Sequence, residues 1–212
     1  MAKHKQKSKD IALTSSEYKI LKEKLQNDKH RIILILGARA GLRVSEIIQC
    51  RYTWIKKNKI GGSEVLEIEV PNSDRDINNS KKIWKQKNTG KVGEKKDKTR
   101  TTYLFNSDEI NEIYFWFKNN PKGLGITRQH ITTNIVRNNW SKVIKRDYEK
   151  TLTCHSLRAA AQNYLYYEKK IDVNVISIML GHEDSRTTLN FYNSKTKASA
   201  ESYLESFLSK GL

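Results

Sequence analysis

Cysteine is nearly absent from this 212-residue chain: Cys50 and Cys154 are its only two, and neither belongs to a Cys-x-x-Cys pattern. A disulfide framework is therefore excluded as the organising principle, and the spacing does not suit a structural zinc site. Proline occurs only twice, and NNPKGLG (119–125) is the one clear Pro/Gly punctuation. No apolar run approaches the length of a membrane-spanning helix. The basic start MAKHKQKSK is followed by IALTSSEY and not by an apolar stretch with a small-residue cleavage site, so no signal peptide is readable and a cytoplasmic location is expected. Acidic residues are also scarce, 23 against 40 Lys and Arg, for a net charge of +17. Because the basic residues run along the whole chain, a polyanionic partner is expected, with nucleic acid ahead of membrane. A lysine-rich surface tuned for solubility, or a compositional bias toward Lys, Asn and Ile, would give the same charge without a partner.

The length suits one substantial core. Residues 1–12 read as a basic arm ahead of a single domain spanning 13–212, with no separate domain before it. Thr14 and Glu17 form a capping-box pattern, and Leu13 can staple onto Tyr18. A helix then carries Tyr18, Leu21 and Leu25 on one face, and a second, HRIILILGARA, is apolar enough to be buried nearly all round. Gly41 interrupts it and permits a sharp turn into LRVSEIIQC, which puts Arg43 near a helix N-terminus, where backbone N–H groups favour an anion. Arg43 is thus a candidate phosphate clamp, or else a solvated arginine paired with Glu46 three residues on.

From Trp54 to Phe105 the pattern turns strand-like. VLEIEV (65–70) alternates apolar and acidic residues, and RTTYLF (100–105) reads as the closing strand of a small sheet, followed by an Asn-Ser-Asp cap. The lysine-rich connection between them reads as a long hairpin or loop. DEINEIYFWFK (108–118) predicts an amphipathic helix. A longer one is expected from Thr127 to about Tyr148, with Ile131, Ile135, Trp140 and Ile144 inward and Arg128, Arg137, Lys142 and Arg146 on an outward basic face, suited to DNA or to solvent alike.

The densest chemistry lies between Thr151 and Tyr192. Thr153 is a plausible N-cap for a helix carrying His155 and Arg158 one turn apart. Ala159, Ala160 and Ala161 permit close approach of another element. VNVISIML predicts a short apolar helix ended by Gly181 in a left-handed cap, with His182 projecting from the turn and Tyr192 ten residues further on. Around one anion these residues make sense together: an arginine fork holds two phosphate oxygens, imidazoles donate hydrogen bonds or move protons near neutral pH, and cations ease deprotonation of a phenol. Singly each has an ordinary structural explanation. Cys154 and His155 are adjacent and point apart on a helix, so no metal site is expected.

Taken in order, GLRVSE, a basic hairpin, HSLR, LGH and the tyrosine of TTLNFY resemble the catalytic domain of the tyrosine recombinase (phage integrase) family, from about Thr14 to Tyr192. The resemblance implies an α+β fold, mainly helical with a small antiparallel sheet, and a DNA strand-breaking and rejoining activity through a 3′-phosphotyrosyl link. It assigns the catalytic roles to Arg43, His155, Arg158, His182 and the nucleophile Tyr192, and a general-acid lysine in the hairpin to Lys95, with Lys91 and Lys98 close behind. Tyr164, Tyr166 and Tyr167 precede the LGH turn and do not match the nucleophile's position. Lys91, Lys96, Lys98 and Arg137 join Arg43 and Arg158 as DNA-binding candidates. Double-stranded DNA is the implied partner, with a tetramer on DNA, nucleoid association and no metal or other cofactor. A tail helix near 197–209 would pack on a neighbouring subunit or on its own domain. A type IB topoisomerase-like enzyme and a non-catalytic DNA-binding protein of the same fold are the alternatives.

Overall fold

Thr14 opens the first helix as its sequence requires: its hydroxyl oxygen accepts from the Glu17 N–H at 3.2 Å while the Glu17 carboxylate accepts from the Thr14 N–H at 2.8 Å. Satisfying two otherwise orphaned donors in this way stabilises a helix start by about 1 kcal/mol. The computed structural model describes residues 12–71, 99–147 and 151–181. Helix α1 (Ser15–Lys24) buries Tyr18 and Leu21, and Leu13 is buried beside them. Helix α2 (Asp28–Ala38) begins at Asn27, whose side chain accepts from the His30 N–H, and is buried without interruption from Ile32 to Ala38. It is the central rod of the core, as its apolar circumference implies.

Gly41 adopts φ +67 and turns the chain into α3 (Val44–Gln49), with Arg43 at the N-cap. Strands β1 (Ile55–Ile60) and β2 (Ser63–Val70) pair antiparallel, Ile60 opposite Ser63, so Gly61-Gly62 is a two-residue loop; both glycines have positive φ, as such a tight hairpin requires. β3 (Arg100–Leu104) pairs antiparallel with β2, Val70 opposite Arg100 and Leu66 opposite Leu104, giving the order β1-β2-β3. Leu66, Ile68 and Val70 are buried and alternate with the half-buried Glu67 and Glu69, the period of two seen in the sequence.

Asn106 caps α4 (Ser107–Asn119), accepting from the N–H groups of Asp108 and Glu109 at 3.1 Å. Ile110, Ile113 and Phe117 enter the core, whereas Phe115 points outward. The next helix differs from expectation. α5 is π-helical from His130 to Trp140, with a single α-helical turn Ser141–Val143 after it, and Lys145 at φ +55 ends it before Arg146. Ile131, Ile135, Val136 and Trp140 still form its buried face, and Arg128, Arg137 and Lys142 are exposed. Arg146, expected on the outward face, instead turns in over α1: its Nε and Nη2 donate to the two Glu17 carboxylate oxygens at 2.7 and 2.6 Å, and Nη2 also donates to the Ala12 carbonyl at 2.8 Å. Ala12, three residues before the first helix and the last of the expected arm, is thereby tied to the domain.

Helix α6 (Cys154–Asn163), prolonged by a π-helical turn Tyr164–Glu168, packs on α2. The approach is close enough that a Cβ on Gly37 would lie 2.9 Å from Leu157 Cδ1. Helix α7 (Val173–Leu180) lies against β3, where Ile176, Met179 and Leu180 join Tyr164 and Leu165 in a second apolar cluster bordered by Tyr103 and Phe105. The Arg39 guanidinium at the end of α2 stacks between the rings of Tyr18 and Tyr164, 3.7 and 4.0 Å from their centroids, with the buried Glu109 carboxylate 3.6 Å from its Nε. Burial, helped by the Glu109 charge, pushes the Tyr164 phenol up to about 12 against the opposing effect of the Arg39 guanidinium. This cation–π stack links α1, α2 and the end of α6.

Candidate active site

The Thr153 hydroxyl accepts from the Ser156 N–H at 3.2 Å, which fixes where α6 starts and turns the buried Ser156 and Leu157 inward. His155 is then exposed and Arg158 half-buried, one turn apart near the positive end of the helix. Arg158 reaches two segments at once. Its Nη1 donates to the Gly41 carbonyl at 2.6 Å, and its Nη2 donates to the Leu180 carbonyl.

Arg43 meets the same turn from the other side. Its Nη2 donates to the Gly181 carbonyl at 3.0 Å, its Nη1 to Glu46 Oε1 at 3.1 Å, and its backbone N–H to Glu46 Oε2 at 2.6 Å. Gly181 closes α7 in the left-handed conformation, φ 62 and ψ 47. The two glycine turns are in contact: a Cβ on Gly41 would lie 2.2 Å from Leu180 Cδ2 and 3.3 Å from Ala161 Cβ. The small Ala159–Ala161 turn and the glycine at 41 thus let three distant parts of the sequence, Gly41–Arg43, Arg158 and Leu180–Gly181, converge on one spot.

Pairing of Arg43 with Glu46, one of the two readings of the sequence, is present, yet the guanidinium is not a merely solvated one. Its side chain keeps 40 % exposure while Glu46 has none. Glu46 also receives the Nε of Arg100 at 3.2 Å on Oε1 and the Arg100 Nη2 on Oε2, and Arg100 Nη1 donates to the Met179 carbonyl. Burial raises the Glu46 pKa, but the Arg100 charge and hydrogen bonds, with those of Arg43, outweigh it and hold the carboxyl below the usual range. Two residues along β3, the Thr102 hydroxyl donates to the Ala40 carbonyl at 2.8 Å. In the sequence Arg100 only opens the strand segment RTTYLF, and with Lys98, Thr99, Thr101 and Thr102 around it nothing local marks it as part of a site.

Arg137 is exposed on α5, a different element from the arginine cluster. Lys91, Lys95, Lys96, Lys98, His182, Tyr192 and the tail helix near 197–209 lie outside the described residues. Cys154, beside His155, is half-buried, and burial pushes its thiol pKa up to about 11, with the Arg128 charge opposing; burial also raises that of Cys50. Among the described residues no group of three or more His, Cys, Asp or Glu could hold a metal ion, and no helix is long and apolar enough to cross a membrane.

The family model described as the phage integrase family matches residues 11–199, nearly the whole chain. The chain belongs to the phage integrase family. A comparison with curated proteins found no match. Among solved structures, the integrase-family fold seen here is similar to that of the XerA recombinase, at 18 % identity and a TM-score of 0.61, over 92 % of this chain and 64 % of that one. It is also similar to the XerH site-specific recombinase bound to difH substrate in a pre-cleavage complex, at 16 % identity and a TM-score of 0.57, over 90 % of this chain and 53 % of that one. A third is the Tn1549 transposon integrase (residues 82–397, Y379F) in complex with transposon right end DNA, at 16 % identity and a TM-score of 0.53, over 93 % and 66 %. The chain spans about half to two thirds the length of these proteins, and at such identities the likeness is one of fold. The expected architecture, mainly helical with a small antiparallel sheet, is the one found.

Proposed function

We propose that this chain is a site-specific DNA recombinase or integrase that cleaves and rejoins strands of double-stranded DNA through a 3′-phosphotyrosyl intermediate. The observation that carries the reading is the convergence of Arg43 and Arg158 on the Leu180–Gly181 turn, immediately before His182 in the sequence and shortly before Tyr192. Membership of the integrase family supports it.

Arg43 and Arg158 grip the nonbridging oxygens of the scissile phosphate, exchanging part of their present hold on backbone carbonyls for the anion, and offset the charge that builds up on a pentacoordinate phosphorus. The Tyr192 oxygen attacks in line. A bond forms from that oxygen to phosphorus and the bond to the 5′ oxygen breaks; His155 assists removal of the phenol proton, His182 donates a hydrogen bond to the phosphate, and Lys95 gives a proton to the leaving 5′ oxygen. The link to tyrosine conserves the phosphodiester energy, so a 5′-hydroxyl from another strand can reverse the step with neither ATP nor a metal. Lys91, Lys96, Lys98 and Arg137 hold the DNA backbone, self-association on DNA brings two sites together, and the enzyme works in the cytoplasm at the nucleoid.

A nicked suicide substrate, which loses its 5′-hydroxyl fragment on cleavage, tests this directly. A covalent protein–DNA adduct whose formation Arg43→Ala and Arg158→Ala each slow severely without removing it, together with strand exchange between two sites, is expected. Relaxation of supercoils without exchange indicates a type IB topoisomerase-like activity instead. Absence of an adduct on every DNA tried points to a non-catalytic DNA-binding protein.

A further inference from the structure

Glu46 is a carboxylate with no solvent exposure, held between two arginines. The Arg100 fork lies along one side of it, Nε on Oε1 and Nη2 on Oε2, and Arg43 also bonds to it with its Nη1 and its backbone N–H. The Arg100 side chain is only 4 % exposed, too deep to touch a DNA phosphate, whereas Arg43 is open. We infer that Arg100 is a positioning residue for the phosphate-binding Arg43, acting through Glu46; this rests on the phosphate role proposed above for Arg43.

Two effects follow from the geometry. The first is orientation: a carboxylate gripped on both oxygens by a planar fork cannot rotate, so the Arg43 guanidinium that bonds to it is held in one pose. The Arg100 Nη1 also ties the end of α7 at Met179, one residue before the carbonyl that Arg158 uses, and Thr102 ties Ala40, one residue before the other. β3 thus braces both turns between which the arginines lie. The second effect is charge. Glu46 alone would neutralise Arg43, but the three groups together carry +1, so a net positive charge is left for an anion. A lysine at position 100 keeps the charge yet cannot make the fork and reach Met179 as well.

Arg100→Lys and Glu46→Gln are compared with the wild type in two measurements, with thermal melts to establish that each variant is folded at the working temperature. The first is ¹⁵N relaxation of the Arg43 side chain in the full chain without DNA. Both variants are expected to free the Arg43 guanidinium while the α3 backbone amides keep their order; unchanged Arg43 order in Arg100→Lys overturns the inference, whatever Glu46→Gln does. The second is single-turnover adduct formation on the suicide substrate. Arg100→Lys is expected to slow it by about 10–100-fold, the cost of misplacing one electrostatic contact, with DNA affinity within about threefold of wild type. In an Arg43→Ala background the same substitution should slow any remaining reaction by less than about threefold, because the two act as one unit. Equal fold losses in both backgrounds show a general structural effect and overturn it. A wild-type protein that forms no adduct contradicts the proposed recombinase chemistry, and the relaxation measurement still decides the role of Arg100.

Discussion

Substituting Gly41 by alanine perturbs the contact on which the arginine cluster depends. Its φ of +67 is disfavoured for any residue with a Cβ, at a cost of roughly 1–2 kcal/mol. The new Cβ would also sit 2.2 Å from Leu180 Cδ2, well inside contact distance, with Ala161 Cβ at 3.3 Å closing the other side, and overpacking of this kind costs roughly 1–3 kcal/mol. The sum is about 2–5 kcal/mol, or a fall in melting temperature of roughly 4–20 °C at 2–4 °C per kcal/mol for a chain of this size. Gly61 provides the control, since its φ is +56 and nothing lies within 4 Å of an added Cβ. Gly61→Ala should incur the backbone cost alone, about 1–2 kcal/mol. Urea unfolding followed by tryptophan fluorescence measures both. If Gly41→Ala costs no more than Gly61→Ala, the turns are not packed as described. The double variant Gly41→Ala/Leu180→Ala gives a second check: the clash partner is gone, so its loss should fall short of the sum of the single losses by roughly 0.5–3 kcal/mol.

Three other outcomes are expected. Glu46 has a lowered folded pKa, so its contribution is complete at neutral pH, above the unfolded carboxyl value, and is lost as pH falls through the folded one; Glu46→Gln should destabilise by about 3–5 kcal/mol at pH 7 by leaving Arg100 buried and unbalanced, and should flatten the acid limb of the stability profile below about pH 4. An unchanged acid slope contradicts the pairing. Arg146→Ala should release the segment before α1, seen as faster hydrogen exchange at the Leu13 N–H, which donates to the Ser156 carbonyl at 3.4 Å, with little change in α4. Cys154, with its thiol raised to about 11, should alkylate slowly with iodoacetamide at pH 7.5 and progressively faster as pH rises past 9, whereas Cys50 should react only on unfolding.

What could be read from sequence was local. The caps at Thr14, Asn106 and Thr153 and the left-handed Gly181 are each decided within a few residues, and all four occur where expected. The buried alternation of β2 is likewise a local pattern. β1 was harder, since IKKNKI buries only Ile55 and offers no apolar face; the Gly61-Gly62 loop was its best signal. The misdirection of Arg146 has a physical cause. Assigning it to an outward face assumes an unbroken α-helical period from Thr127, but π-helical winding shifts that period and the positive φ at Lys145 takes Arg146 off the helix altogether. Arg100 and Glu46 illustrate the remaining limit. They stand 54 residues apart, and each alone reads as an ordinary surface charge until the β3–α3 packing excludes water from both.

The motifs of Arg43, His155 and Arg158 stand out in the sequence by their order, and the structure brings the two arginines to one turn. The proposed chemistry requires that this turn serve Tyr192 as the residue that takes DNA covalently. The most direct measurement is peptide mapping by mass spectrometry after incubation of the full chain with a nicked suicide duplex, with Tyr192→Phe run in parallel. A nucleotide-linked peptide containing Tyr192, formed equally in EDTA and absent from the variant, is expected. A nucleotide-linked peptide at Tyr164, Tyr166 or Tyr167, or an adduct that survives Tyr192→Phe, would contradict it.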